Sequence, residues 1–371
     1  MSRPAIAHIR LDAFRHNYQI AKHAHGGKAL AVIKANAYGH GAVRCAKAIE
    51  SEADGFAVAS LEEALQLREA GIQNPILLLE GFFEALELPQ IVAHDLWIVI
   101  HHAWQIDMLL AAKLEKPVQV WLKMDSGMHR VGLSTAEYNS VYVQLSQHKN
   151  ISKIVLMSHF ANADNLNITN TQQQIAVFKN AAVGLNAEVS LANSAAILAW
   201  PESVSQWSRP GIMLYGANPI QANAANLAVT TVKDPLRTVM QLTSRIINIR
   251  TIAQGESIGY GSIFTAELDT TIGVVACGYA DGYPRSALNG TPVAVDGAMT
   301  RLIGRVSMDM LFVDITHIPT ANIGSLVELW GDLVPVNAVA ASANTIAYEL
   351  FCNIKRVQFE YSDTAETIIL K

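Results

Sequence analysis

Val32-Ile-Lys-Ala-Asn-Ala-Tyr-Gly-His-Gly41 ends an apolar run and opens a polar, glycine-containing loop. Upstream, Ala29–Ile33 reads as a short buried strand that delivers the amine of Lys34 to its carboxyl end, beside a loop able to accept a ligand. An amine held near apolar neighbours gives up its proton more readily than one in water, and the neutral amine can form a Schiff base with an aldehyde. Position alone favours a solvated surface lysine, the ordinary fate of this side chain. The residues around it shift that balance.

Working outward, similar apolar runs recur at Gly55–Ala59, Pro75–Leu79, Trp97–Ile100, Pro117–Leu122, Ile151–Met157, Glu188–Leu191 and, more weakly, near Val204–Arg209. Amphipathic stretches lie between them. In Ser60–Ala70, for example, Ser60 reads as an N-cap and Gly71 as the stop after the helix. Eight strand–helix units over about 220 residues is the count and length of a (β/α)8 barrel. A doubly wound open sheet is the alternative, which periodicity does not exclude, but the placement of polar residues after successive strands favours the barrel.

From about Leu236 the pattern changes to closely spaced strands at Leu236–Ile252, Thr271–Cys277, Thr291–Val295, Arg301–Ile315 and Ser325–Trp330. One helical stretch near Asn337–Asn353 and a last strand near Arg356–Tyr361 follow. The chain therefore reads as α/β: a barrel over residues 1–234 and a β-rich domain over 235–371, divided near Val232-Lys-Asp-Pro235. Roughly the first ten residues are expected to pack with the second domain.

With 371 residues, 51% of them hydrophobic, the chain can bury the core of two domains. Its formal charge of −5 comes with no basic block and no aromatic–basic stripe, which gives a nucleic acid or an anionic membrane no electrostatic support as partner. The first residues lack the apolar stretch of a signal peptide and no later run approaches a membrane span, so a cytoplasmic location is expected. Cys45, Cys277 and Cys352 lie far apart, as reduced thiols do, and the 12 histidines form no ligand pattern; no metal site is expected.

In a barrel the reacting groups come from strand carboxyl ends. Lys34 follows the first strand, Met124-Asp-Ser-Gly-Met-His-Arg-Val-Gly132 the fifth, and Ser158-His-Phe-Ala-Asn-Ala-Asp164 the sixth. Ala192-Asn-Ser-Ala-Ala196 follows the seventh and Arg209-Pro-Gly-Ile212 the eighth. Taken singly, Ser194 reads as a helix cap and Gly211 as a turn glycine. After strands seven and eight, however, they occupy the loops in which barrels bind phosphate through N–H groups and hydroxyls.

This ordered set resembles the alanine racemases, beginning with the pyridoxal 5'-phosphate (PLP) lysine motif Lys34-Ala-Asn-Ala-Tyr-Gly-His-Gly41. Gly259-Tyr-Gly-Ser-Ile-Phe264, Gly278-Tyr-Ala-Asp-Gly-Tyr-Pro-Arg285 and Gly304-Arg-Val-Ser-Met-Asp-Met310 extend the resemblance over essentially the whole chain. It implies that Lys34 binds PLP covalently, and that Tyr38, Ser194, Gly211, Ile212 and Tyr348, in Ala347-Tyr-Glu-Leu350, hold its phosphate. Arg209 would face the pyridine nitrogen and Arg130 the cofactor phenolate and the substrate carboxylate. Tyr260 would be a second base opposite Lys34, tuned through His159 and Arg209; Met308 and Asp309 would line the substrate entrance, narrowed by Tyr279 and Tyr283. Some family members carry a carbamylated lysine at the place of Lys123. Many have a cysteine in place of Ser307 and several a histidine in place of Ser190.

The implied function is two-base interconversion of L- and D-alanine, supplying D-alanine for peptidoglycan, in a homodimer whose active sites are shared across the interface. Two alternatives carry the same barrel: an amino-acid racemase of broader range, and a non-catalytic PLP-binding homeostasis protein. The second domain with Tyr260 argues against the latter.

Overall fold

The computed structural model describes residues 3–220 and 235–363. Of the expected boundary Val232–Pro235, only Pro235 falls within the described residues. After β1 (Ile6–Arg10), eight strands follow in parallel: β2 (Lys28–Val32), β3 (Gly55–Val58), β4 (Ile76–Leu78), β5 (Leu96–Ile100), β6 (Val118–Lys123), β7 (Ile151–Met157), β8 (Glu188–Asn193) and β9 (Trp207–Arg209). They close into a barrel when β2 pairs β9 through Lys28 with Trp207 and Ala29 with Ser208.

These strands read as continuous apolar runs because a parallel strand is covered on both faces; every residue of β3 and β4 is buried. Trp97, Trp121 and Trp207 meet inside the barrel, with ring centroids 5.5 to 6.2 Å apart. Strands β5 and β9 stand on opposite sides of an eight-membered ring, so the contact of Trp97 with Trp207 crosses the axis and plugs the barrel below the strand carboxyl ends. The helix Leu61–Glu69 is followed by Gly71 at φ 87°, as expected, but the Ser60 side chain at its N-cap makes no capping hydrogen bond.

The second domain contains β10 (Met240–Ile252), β11 (Ser257–Ile258), β12 (Phe264–Thr265), β13 (Thr270–Val275), β14 (Pro292–Val295), β15 (Ala298–Ile303), β16 (Leu311–Asp314), β17 (Leu326–Trp330) and β18 (Gln358–Ser362). An eight-stranded sheet runs β13-β16-β15-β14-β17-β10-β1-β18, while β11 and β12 form a separate hairpin. Strand β1 lies between β10, antiparallel, and β18, parallel.

Two sequence readings are corrected. Arg301–Ile315 is not one strand: Gly304, at φ 71°, turns the chain and β15 pairs back on β16 through Leu302 with Val313 and Ile303 with Phe312. The stretch near Asn337–Asn353 is two helices, Val336–Ser342 and Ala347–Cys352, interrupted at Asn344, where φ is 55°.

Candidate active site

Beyond β2 the chain does not enter an irregular loop. Ala35, Asn36, Ala37 and Tyr38 all have φ between 49 and 54° and form a left-handed helical turn that starts at Lys34. Left-handed helical conformation costs roughly 1–2 kcal/mol for each non-glycine residue, so this turn exists only because its surroundings hold it. The Ala37 N–H donates to Ile33 O at 2.8 Å and the Gly39 N–H to Ala35 O at 3.0 Å. Asn36 Oδ1 accepts the Ala42 N–H at 2.9 Å. His40 Nδ1 lies 3.0 Å from Ala37 O and 2.9 Å from Tyr38 O, so that nitrogen carries the proton; burial pushes the ring's pKa down to about 4 and keeps it neutral. The Glu63 carboxylate accepts the Ala35 N–H at 2.6 Å and the Ala59 N–H at 2.7 Å.

Cations crowd the same end of the barrel. Lys123, at the end of β6, is 7% exposed, and its pKa is pushed down to about 7 by burial, then by the charges of Arg209, Arg130 and Lys34. His159, just past β7, is held well below its ordinary value by burial and by Arg209, Lys123, Arg130 and Lys34. Arg209, at the end of β9, is buried; desolvation lowers its pKa to about 10, which still leaves it charged near neutrality. Its Nη1 donates to Ser190 O at 2.9 Å and to Ser190 Oγ, and its Nη2 to Ser158 O at 2.6 Å and Leu191 O at 3.3 Å. Serine at 190 thus supports the guanidinium, and Nε is left without a hydrogen bond among the described residues.

Arg130 is exposed on a loop shaped by Asp125, whose Oδ1 accepts the N–H groups of Gly127, Met128 and His129 at 2.9 to 3.1 Å. Burial raises the Asp125 carboxyl, but these donors outweigh it and hold the group below its ordinary value. Gln174 ties this loop to the next: its Nε2 donates to His159 O at 3.2 Å and to Ser126 Oγ at 3.4 Å, and its Oε1 accepts the Ala161 N–H at 2.9 Å.

The expected phosphate residues meet around Tyr38. The Tyr38 ring lies 4.7 Å from that of Tyr215 and 5.6 Å from that of Tyr348, which the helix Ala347–Cys352 brings over the barrel. Ser194 Oγ accepts the N–H groups of Gly211 at 2.8 Å and Met213 at 3.3 Å; the helix cap is Asn193, not Ser194. The buried Ile212 N–H has no acceptor among the described residues. A Cβ on Gly211 would stand 2.8 Å from Tyr38 Oη, so only glycine leaves room between them. A phosphate ester fits this cradle, which supplies hydroxyls, an unpaired N–H and nearby cations.

Tyr260, Met308 and Asp309 are not brought into this cluster. Tyr260 sits between β11 and β12, 69% exposed, and Met308 is 53% exposed. Among the described residues no hydrogen bond, ion pair or ring contact joins either to Lys34 or its neighbours. Asp309 is bound by Arg3 at 3.1 Å and Arg356 at 2.9 Å. Tyr279 is exposed, but the expectation that Tyr283 narrows the entrance is corrected: it is buried in the core, stacked 6.0 Å from Trp330. Among the described residues no group of three or more His, Cys, Asp and Glu is placed to hold a metal, and no helix is long and apolar enough to cross a membrane.

Sequence reasoning missed Glu63, Tyr215 and Gln174. Glu63 had a signal, since Ser60-Leu-Glu-Glu63 is a capping-box pattern; the carboxylate reaches Ala59 and Ala35 instead of capping the helix through Ser60. Tyr215 and Gln174 act through contacts remote in sequence and had none.

Residues 9–219 match the family model of the alanine racemase N-terminal domain, and residues 239–361 that of the alanine racemase C-terminal domain. A relative from Pseudomonas putida described as "Alanine racemase, catabolic" is 57% identical, the match covering 97% of this chain and 99% of the relative. The solved biosynthetic alanine racemase from Pseudomonas aeruginosa superposes with a TM-score of 0.92 at 46% identity, over 97% of this chain and 99% of that one. The alanine racemase from Bartonella henselae, solved with covalently bound pyridoxal phosphate, gives a TM-score of 0.86 at 29% identity, over 97% and 99%. With barrel, β-rich domain and clustered site in place, the chain belongs to the alanine racemase family and is an alanine racemase enzyme.

Proposed function

We propose that this enzyme holds PLP on Lys34 and interconverts L- and D-alanine with two bases, Lys34 and Tyr260, placed on opposite faces of the substrate Cα. The observation that carries the reading is the crowding of Lys34, Lys123, Arg130 and Arg209 at the barrel mouth beside the Tyr38–Gly211 cradle, an arrangement that calls for an anionic occupant. When bound, the cofactor supplies an electron-withdrawing ring that acidifies the substrate Cα–H.

Every further role belongs to the protein. Tyr38, Ser194, Tyr348 and the unpaired Ile212 N–H hold the phosphate, joined by the Gly211 N–H once it exchanges Ser194 Oγ for a phosphate oxygen. Arg209 has only protons to donate, so its free Nε keeps a facing pyridine nitrogen unprotonated, which restrains electron withdrawal and limits transamination. Arg130 holds the substrate carboxylate. His159, kept neutral by burial and by the charges of Arg209 and its neighbours, can donate to or accept from the Tyr260 hydroxyl. A neutral Lys123 can take up carbon dioxide, and the resulting carbamate would place an anion among three cations. Met308 and Asp309 line the entrance.

The exposure of Tyr260, Ile263, Met308, Met310, Ile346 and Tyr348 supports a two-fold homodimer in which Tyr260 completes the partner's site. Residues 1–234 and 235–371 are proposed as the two domains, with β1 pairing in the sheet of the second. The location proposed is the cytoplasm. For the cellular role we infer supply of D-alanine to peptidoglycan; the solved P. aeruginosa neighbour is described as biosynthetic and the P. putida relative as catabolic. Deleting the gene should make growth depend on added D-alanine, and unimpaired growth that depends on no second racemase would assign the catabolic role. Assays of serine, arginine and lysine enantiomers beside alanine test the broader-range alternative.

The two-base assignment is tested by Tyr260→Phe. Racemisation should fall by about three orders of magnitude while α-proton exchange of D-alanine with solvent, served by Lys34, is largely retained. Equal loss of exchange for the two enantiomers would remove Tyr260 from the assignment.

A further inference from the structure

We propose that Glu63 is a positioning residue for the reaction: it clamps the strained left-handed turn that sets Lys34 and Tyr38 at their working separation. The inference rests on the reading of Lys34 as the cofactor lysine. From the first turn of the helix Leu61–Glu69, the two Glu63 oxygens reach two different strand ends, the Ala35 N–H beyond β2 at 2.6 Å and the Ala59 N–H beyond β3 at 2.7 Å. Hydrogen bonds to an ionised carboxylate are about twice as strong as neutral ones, and a bridge between two chain segments restricts both.

The two ends of the turn are held differently. At the far end, Tyr38 packs between Tyr215 and Tyr348, and His40 binds the carbonyls of Ala37 and Tyr38. At the near end Ala35 and Asn36 are exposed, so packing does not hold the residue that directly follows Lys34. Ala35 stands at φ 51° and ψ 50°, which an L-residue leaves readily once its N–H is released. Relaxation there would swing the Lys34 amine away from the point fixed by the phosphate cradle at Tyr38 and Gly211, so the cofactor could no longer be gripped at both ends at once.

Glu63→Gln keeps the shape but turns one acceptor into an NH2 donor facing an N–H. Its holoenzyme should release PLP about tenfold faster than wild type, a loss of about 1.4 kcal/mol in grip, with a matching fall in the fraction of Lys34 trapped by borohydride. Ala35→Gly added to Glu63→Gln should restore the release rate to within about twofold, because glycine adopts the left-handed conformation without a steric cost. A merely structural role for Glu63 predicts no such rescue. If Glu63→Gln alone fails to fold, the double variant against wild type carries the comparison. Unchanged release in Glu63→Gln, or accelerated release that Ala35→Gly does not reverse, would overturn the proposal. Absence of label on Lys34 in the wild type would overturn the cofactor-lysine reading itself, and this inference with it.

Discussion

In bicarbonate at about pH 8, Lys123 should carry a carbamate that the chain's exposed lysines do not. Carbon dioxide reacts with the neutral amine. With the pKa pushed from 10.5 down to about 7, roughly 0.9 of the Lys123 amines are neutral at that pH, against about 0.003 for an ordinary lysine, a gain of about 300-fold. The charges of Arg209, Arg130 and Lys34 that repel the ammonium attract the carbamate, so they favour the product as well as the reactant. The pH dependence follows in sign. Because the folded pKa is depressed, the unfolded chain binds more protons between about pH 7 and 10.5, so the cost of Lys123 to the fold grows as pH falls from about 10.5 to about 7 and levels off below that. The carbamate is lost as pH falls through about 7, where the folded amine protonates. Carbon NMR with isotopically labelled bicarbonate should show one protected carbonyl resonance that disappears in Lys123→Met and fades from about pH 8 to about pH 6. A spectrum identical in the variant, or a resonance that persists to low pH, would refute the argument.

Three further outcomes follow from the geometry. Gly211→Ala places a Cβ 2.8 Å from Tyr38 Oη and should weaken PLP binding about tenfold by equilibrium titration; unchanged affinity would remove Gly211 from the cradle. Arg209→Glu offers a facing ring nitrogen an acidic partner and should slow racemisation while raising pyruvate formed by side transamination; slower racemisation without extra pyruvate would place Arg209 elsewhere. Mixing equal amounts of inactive Lys34→Ala and Tyr260→Phe chains under reassembly should give about half heterodimers, each with one intact site, and so about a quarter of wild-type activity. No recovery, with heterodimers verified by mass, would exclude a shared site.

Much of the fold was legible because its causes are local. The buried parallel strands stand out as apolar runs bounded by polar turns, and β2 to β9 fall within a few residues of the runs that announce them. The second domain was read less finely, since a hairpin turned by Gly304 and a helix broken at Asn344 each depend on one residue adopting positive φ, which periodicity does not register. Tyr283 and Tyr279 lie four residues apart in one motif, yet one is core and the other surface. Spacing along a turn does not say which side faces the sheet.

The sequence by itself determined the chemical inventory of the site and its order: an amine after the first barrel strand, a guanidinium and glycine after the last, and a tyrosine between glycines in the second domain. Only the tertiary structure decided what those groups become. Lys123 loses its proton near neutrality because the closed barrel buries it and brings up Arg209 and Lys34 from other strands and Arg130 from the loop after its own, and an electrostatic shift depends on distance through space. Ala35 to Tyr38 wind left-handed because Glu63, 28 residues beyond Ala35, holds one end and Tyr215 and Tyr348 pack against the other. Intrinsic backbone preference points the opposite way, and contacts that exist only after the barrel closes override it.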